Sequence, residues 1–192
     1  KLTPAGVIQL GLVIEIIAVA LVAVLMPVGL SVWWQLVPMA AYGLGLGFAS
    51  AQLTSVVLSE VPIMQSGEGS ATQSTVRQLG TAVGSAISGA SLAMAVNGTL
   101  PARLESLGLP TKVGDGLAQA VSGSAGGVIG VFRSGDGLAA RFGDEAPKIA
   151  DAVTSGFIEG GQWTLLVACI MLFIGLLASV AVRRAASSHN VR

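Results

Sequence analysis

The chain has 192 residues, of which 53% are hydrophobic and only 10% are charged, and its formal net charge is zero. Soluble domains carry about 25% charged residues, so this composition excludes an ordinary soluble domain and indicates a membrane protein. The balanced charge argues against a nucleic-acid partner. The single cysteine, Cys169, excludes a disulfide framework or a cysteine metal site. We therefore expect neither a metal nor a cofactor.

Four apolar segments are long enough to cross a hydrocarbon core of about 30 Å, which needs about 20 helical residues. They cover residues 5–26, 35–58, 72–96 and 162–182. Trp33 and Trp34 precede the second segment and Trp163 lies at the start of the fourth, as aromatic interface anchors do. The pattern predicts an all-α membrane protein with four transmembrane helices.

Two of the spans carry a polar residue deep in the apolar run. Glu15 lies near the centre of the first span, where a carboxyl group can hold a proton or face a cation. The alternative is a protonated Glu15 that donates a hydrogen bond to a neighbouring helix. Gln52 is the deepest amide of the second span. It either binds a solute in a cavity or cross-links two helices, and the spacing leaves both open.

The third span has a polar stripe of small residues along one face. Its members recur every three or four residues: Gln73, Arg77, Gly80, Gly84 and Ser88. A guanidinium group in an apolar helix costs about 3 kcal/mol on insertion scales unless it has a partner or water. We therefore expect this helix to face protein or an aqueous cavity rather than lipid alone.

Glycines at four-residue spacing let two helices approach closely in a membrane. We predict helix packing at Gly80 and Gly84 of the third span, and at Gly43 and Gly47 of the second. Residues 60–69 connect these two spans, and Glu60 before the connection is placed to pair with Arg77 near the membrane surface. The simplest interpretation of that pair is mutual neutralisation.

The segment 97–161 is rich in Gly, Ser and Ala, and no window in it could span a bilayer. We predict a loop with short helices at 112–122 and 146–158, the second with Ile149, Val153 and Phe157 on one face. Arg183 and Arg184 follow the last span and mark the cytoplasmic side. This places segment 97–161 outside the cytoplasm, and both chain ends and the tail 183–192 inside.

No catalytic pattern is present in the sequence. The one histidine, His189, lies in the tail, and there is no paired-cysteine or phosphate-loop motif. We therefore expect no enzymatic activity. Because the chain begins at Lys1 with an apolar span directly behind it, we expect it to be the C-terminal piece of a longer protein.

The third span carries the motif Ser74-x-x-Arg77-Gln78-Leu79-Gly80-x-x-x-Gly84, preceded by the turn Gly67-x-Gly69-Ser70-Ala71. The second span opens on Gly43-Leu44-Gly45-Leu46-Gly47. Together with the long outer loop and the short basic tail, these features resemble the end of the fourteen-helix drug/proton antiporters of the major facilitator superfamily. The resemblance covers essentially the whole chain, and it implies the last four helices of such a transporter.

The resemblance also implies roles for particular residues. The second span would line the substrate cavity, with Gln52, Tyr42 and Ser55 as candidates. The third span would lie at the interface with the missing N-terminal half. Its gating or interface candidates are Arg77, Gln73, Gln78 and Glu60. Glu15 would lie in a peripheral helix, which makes it the weaker candidate for a proton site.

The function that this predicts is proton-coupled efflux of lipophilic, often cationic compounds across the bacterial inner membrane. Its partners would be the substrate, protons, the lipid bilayer and the N-terminal half of the same transporter. Two alternatives remain open. One is a major facilitator transporter of a metabolite, and the other is a membrane interaction protein that transports nothing.

Overall fold

The computed structural model describes residues 3–26, 32–59, 61–134 and 142–189, and these residues contain α-helices and short 3₁₀ turns but no strand. The α-helices are α1 (Pro4–Leu25), α2 (Val32–Ser59), α3 (Ser66–Ser106), α4 (Thr111–Gly123), α5 (Gly127–Ser134) and α6 (Ala146–His189). Helices α1, α2, α3 and α6 are long and apolar enough to cross a membrane. The prediction of an all-α protein with four apolar membrane-spanning helices is confirmed to this extent.

The first helix starts where its sequence predicts. Thr3 caps α1 because its Oγ1 accepts a hydrogen bond of 3.2 Å from the backbone N–H of Gly6. Pro4 occupies the first helical position, where the missing N–H has no intrahelical partner to lose. Local sequence signals are therefore sufficient to set the start of α1.

Helix α3 extends ten residues beyond the predicted end of the third span. It contains 41 residues, about twice the number that a membrane requires, and it continues through Pro101. Its extension is held by Val96, Leu100 and Leu104, which recur every four residues and are fully buried. Packing along this stripe outweighs the unfavourable helix propensity of the glycine and proline around it.

Helix α6 likewise begins sixteen residues before the predicted start of the fourth span, and it contains 44 residues. The predicted helix at 146–158 is confirmed as its first part. Ile149 and Val153 are fully buried, and Phe157 packs against them, as their spacing predicts. The helix does not break at Gly156 and Gly160, where apolar side chains of α3 occupy the space that side chains would fill.

The chain divides into two compact units. The first unit comprises Lys1–Ala86 and Leu165–Arg192, and the second unit comprises Ile87–Thr164. Helices α3 and α6 each contribute to both units. The described part of segment 97–161, predicted as a loop with short helices, belongs to a folded helical unit, and α3 and α6 both continue into it. Its position outside the cytoplasm stays a prediction.

The second unit has its own hydrophobic core. The buried core residues are Val96, Leu100, Leu104, Leu109, Leu117, Ala118, Val121, Phe132, Ile149, Ala150 and Val153. Gly108 (φ +87°) follows the end of α3, and Ala125 (φ +49°) and Gly126 (φ +84°) lie in the turn between α4 and α5, all in a left-handed backbone conformation that glycine adopts most readily. An ion pair between Arg103 and Glu159 joins α3 to α6 at the surface of this core.

Candidate functional site

The first unit is built around a close contact between α1 and α2. A Cβ atom at Gly11 would lie 2.7 Å from the carbonyl oxygen of Gly45, and one at Gly45 would lie 2.7 Å from the carbonyl oxygen of Gly11. No side chain larger than hydrogen fits at either position. The two backbones therefore touch here, which is how helices in lipid gain contact energy.

Glu15 lies at the centre of this contact. It is buried, with 4% of its surface exposed, and its Cγ atom lies 2.9 Å from the position that a Cβ of Gly45 would take. The Glu15 side chain thus fills the space beside Gly45. Among the residues that the structure describes, no hydrogen bond or ion pair to its carboxyl group is present. The structure places this residue in the interface between α1 and α2, and the peripheral position of α1 in a complete transporter stays a prediction.

The opposite side of α1 contacts α6. The Cys169 thiol lies 3.9 Å from the carbonyl oxygen of Ile16. Nearer the start of α1, the Arg183 guanidinium donates a hydrogen bond of 2.9 Å to Oε1 of Gln9. The Nε2 atom of Gln9 is buried and has no partner among the described residues. Helix α1 therefore packs against both α2 and α6 within the first unit.

An apolar cleft of about 220 Å³ lies among α1, α2 and α6. It is half open, and its walls are almost entirely apolar. They are formed by Val19, Val22, Met39, Tyr42, Leu165 and Ala168. Tyr42, a predicted cavity residue, contributes the aromatic ring of this wall. The other five were not predicted, because nothing in an apolar run marks which residues line a cleft.

The other two predicted cavity residues do not line this cleft. Gln52 is half-buried, and it follows Gly45 by seven residues and Ala49 by three, so it lies on the side of α2 that faces α1. Ser55 is exposed. The structure does not bring the three candidates together, and a shared role in one substrate site stays a prediction.

Gln73 joins α3 to α2. Its Nε2 donates a hydrogen bond of 3.0 Å to Oγ1 of Thr54, which in turn donates to the carbonyl oxygen of Ser50 at 3.3 Å. Gln73 was predicted at the interface with the missing N-terminal half; the contact seen here is to α2, and that role stays a prediction. Thr54 was missed, although its position five residues before the end of α2 places it opposite the start of α3.

The remaining interface candidates on α3 point away from the described chain. Arg77 and Gln78 are exposed, and no ion pair or hydrogen-bonding partner of the Arg77 guanidinium is present among the described residues. Glu60 lies outside the described residues, so its pairing with Arg77 stays a prediction.

The four glycines predicted to pack against other helices are open. Within the described residues, nothing lies within 4 Å of a Cβ position at Gly43, Gly47, Gly80 or Gly84. Contacts at these positions stay a prediction for a partner beyond those residues. The close approach occurs instead at Gly45 and its neighbour on α1. Four-residue spacing identifies a helix face made of small residues. It does not show whether another helix packs against that face.

Comparison of the chain with protein-family models, with curated proteins and with solved structures finds no match. Among the described residues, no group of three or more His, Cys, Asp or Glu side chains is placed to hold a metal ion. The arguments for function therefore rest on the sequence motif and on the geometry of the first unit.

Proposed function

We propose that this chain is the C-terminal part of a fourteen-helix drug/proton antiporter of the major facilitator superfamily. Such a protein exports lipophilic, often cationic compounds across the bacterial inner membrane and takes up protons in exchange. The observation that carries the proposal is the exposure of α3 around Arg77. Between Thr72 and Ala86 it mixes small, polar and apolar residues and bears Arg77, and within this stretch only Gln73 and Gly84 are partly covered.

An arginine on a helix that crosses a membrane requires a partner or water. The N-terminal half of a transporter would supply both, because the two halves of such a fold enclose an aqueous pathway. The motif around Arg77 is the part of the sequence that resembles this family most. The exposed stripe and the motif thus support the same assignment.

The apolar cleft supports a lipophilic substrate. Its wall offers almost no polar atoms, so a sugar or another polar metabolite would lose hydrogen bonds to water on entering it. The face of the Tyr42 ring attracts a cation by about 0.5–2 kcal/mol, depending on desolvation. A lipophilic cation is therefore a better fit than a polar metabolite.

A second function has one specific observation in its favour. Gly43, Gly47, Gly80 and Gly84 leave two smooth helix faces uncovered, and such faces also serve helix association without transport. A membrane interaction protein would use them to hold a partner. It would move no solute.

The proposal is tested by efflux of several unrelated dyes from bacterial cells that lack their own exporters and express the full-length protein. We expect efflux that stops when a protonophore collapses the proton gradient. Tyr42→Ala should change the ranking of the dyes, whereas Val76→Ala, on the exposed side of α3, should not. If no dye moves while the protein is present in the membrane, the transport proposal is wrong and the result favours the membrane interaction protein.

Arg77 and Gln52 are expected to affect transport in different ways. Arg77→Ala should slow the efflux of every dye, because an ion pair between the two halves must form and break in each cycle, and Arg77→Lys should lose less. Gln52→Ala should alter the ranking of dyes while proton coupling persists. An effect of Arg77→Ala on one dye only, or no effect of Gln52→Ala on any dye, would contradict these roles.

A further inference from the structure

Glu15 is the one ionisable residue in the packed face of α1. The buried residues of α1 that recur every three or four positions are Ile8, Gly11, Glu15 and Ala18. The other three are apolar or lack a side chain. A carboxyl group that fills this space without a hydrogen-bonding partner pays a desolvation penalty that an apolar side chain would not.

The charged and titratable groups around Glu15 are few. The described part of α2 contains no Asp, Glu, Lys, Arg or His, and its one titratable side chain is that of Tyr42. From the apolar part of α6 comes Cys169, whose thiol contacts the carbonyl oxygen of Ile16. Arg183 and Arg184 lie at the end of that apolar part. No cation on these helices is therefore placed beside the carboxyl group.

Arg183 bonds to Gln9, six residues before Glu15, which is about 9 Å along the helix axis. Its guanidinium is therefore held a full turn and a half away. A carboxylate buried without a cation or donors costs several kcal/mol, and a neutral carboxylic acid avoids this penalty.

We propose that Glu15 is a proton-binding group gated by Gly45: it holds its proton while α1 and α2 are closed on each other, and releases it when they separate. On separation, water reaches the carboxyl group, its O–H bond breaks and the proton passes to that water. The carboxylate that remains is then hydrated. Closure of the contact requires a proton to be taken up again.

The role of this step in transport rests on the proposed function. In an antiporter that alternates between two states, opening of the contact in one state would release the proton on one side of the membrane. Proton binding at Glu15 itself does not depend on that function. The two claims can therefore be tested separately.

The first test is labelling of the full-length protein in lipid nanodiscs with dicyclohexylcarbodiimide, an apolar reagent whose central carbon is attacked by the oxygen of a carboxyl group as the carboxyl proton passes to its nitrogen. Mass spectrometry then locates the adduct over a series of pH values. We expect labelling of Glu15 that falls as the pH rises, and none of Glu68, which is exposed at the start of α3. An unlabelled Glu15 at every pH, or labelling independent of pH, would overturn the proposal.

The second test alters the contact between α1 and α2 at Gly45. In Gly45→Ala the new Cβ would lie 2.9 Å from the Glu15 Cγ, so the contact must widen and admit water. The pH at which half of the labelling is lost should move to a lower value. Ala40→Val is the control on the same helix, because Ala40 is exposed, and it should leave that pH unchanged. If Gly45→Ala does not fold, the titration of the unaltered protein still decides.

The third test asks whether proton-driven efflux depends on Glu15. In Glu15→Gln the neutral state is permanent, so dye should exchange down its own gradient but should no longer be driven outward by protons. If proton-driven efflux survives Glu15→Gln, the inference fails while the proposed function stands. If no dye moves but Glu15 labelling titrates with pH, the proposed transport function fails while the proton site stands.

Discussion

At the scale of single residues, the hydrogen bond from Gln73 to Thr54 is the side-chain link between α2 and α3 in the described chain. Polar contacts of this kind between membrane helices contribute about 0.6 kcal/mol on average and up to about 1.7 kcal/mol. The link is therefore modest in energy. Its value lies in fixing which face of α3 turns toward α2 just after the connection between them.

We expect Gln73→Leu to lower the unfolding free energy by about 0.5–1.5 kcal/mol, because Thr54 then loses its donor. Gln78→Leu is the control, since Gln78 is exposed and makes no interhelical bond among the described residues. Unfolding of both variants by sodium dodecyl sulfate titration measures the difference. Equal losses in the two variants would mean that the Gln73 bond does not hold the helices together.

At the scale of helices, the contact between α3 and α6 in the second unit depends on two small positions. A Cβ at Gly160 would lie 2.7 Å from Cγ2 of Val96, and one at Gly156 would lie 3.1 Å from Cδ1 of Leu100. The side chains of α3 thus enter spaces that these glycines leave open. The Arg103–Glu159 ion pair beside them is more than a third exposed on both sides, so it adds little.

Replacing glycines of α6 should have opposite effects at two positions. Gly160→Ala should destabilise the protein by about 1–3 kcal/mol, because the added methyl group overpacks against Val96. Gly175→Ala should be neutral or stabilise by up to about 1 kcal/mol, since Ala is the better helix former and no described atom lies within 4 Å. Thermal unfolding followed by circular dichroism compares them. A Gly160→Ala variant as stable as Gly175→Ala would show that the two helices do not touch there.

The core of the second unit offers a further prediction. Leu100 is fully buried, whereas Met94, six residues earlier on the same helix, is 71% exposed. Leu100→Ala should lower the unfolding free energy by about 2–5 kcal/mol through lost burial and a residual cavity. Met94→Ala should change it much less. Similar losses for both would contradict a packed core in this unit.

At the scale of the whole molecule, the orientation in the membrane is the property to establish. The basic pair Arg183–Arg184 predicts that residues 97–161 lie outside the cytoplasm and that the connection before Ser66 lies inside. Both regions contain exposed small side chains that accept a cysteine. Replacing Cys169 by Ala first removes the native thiol.

A membrane-impermeant maleimide added to intact cells should label Ser124→Cys in the turn after α4. It should not label Ser66→Cys until the membrane is permeabilised. Labelling only at Ser66→Cys would reverse the orientation. Labelling at both positions in intact cells would mean that the chain does not separate these two regions.

The sequence by itself determined the fold class, the four apolar helices and the buried face of Ile149 and Val153. These follow from local properties. Crossing a membrane demands an apolar window of about 20 residues, and the periodicity of a helix shows in its own sequence. The same reasoning found Glu15 and Gln73 as polar residues worth explaining, but it did not find their neighbours.

Only the tertiary structure decided where α3 ends, where α6 begins and which glycines lie against a neighbouring helix. Pro101 and Gly160 are helix breakers when read locally, but burial of Leu100 and Val96 against the facing helix outweighs that preference. Gly43 and Gly45 are alike in sequence, yet only Gly45 lies against α1. A residue's neighbours on another helix depend on how the two helices are rotated, and that rotation is set by all their contacts together.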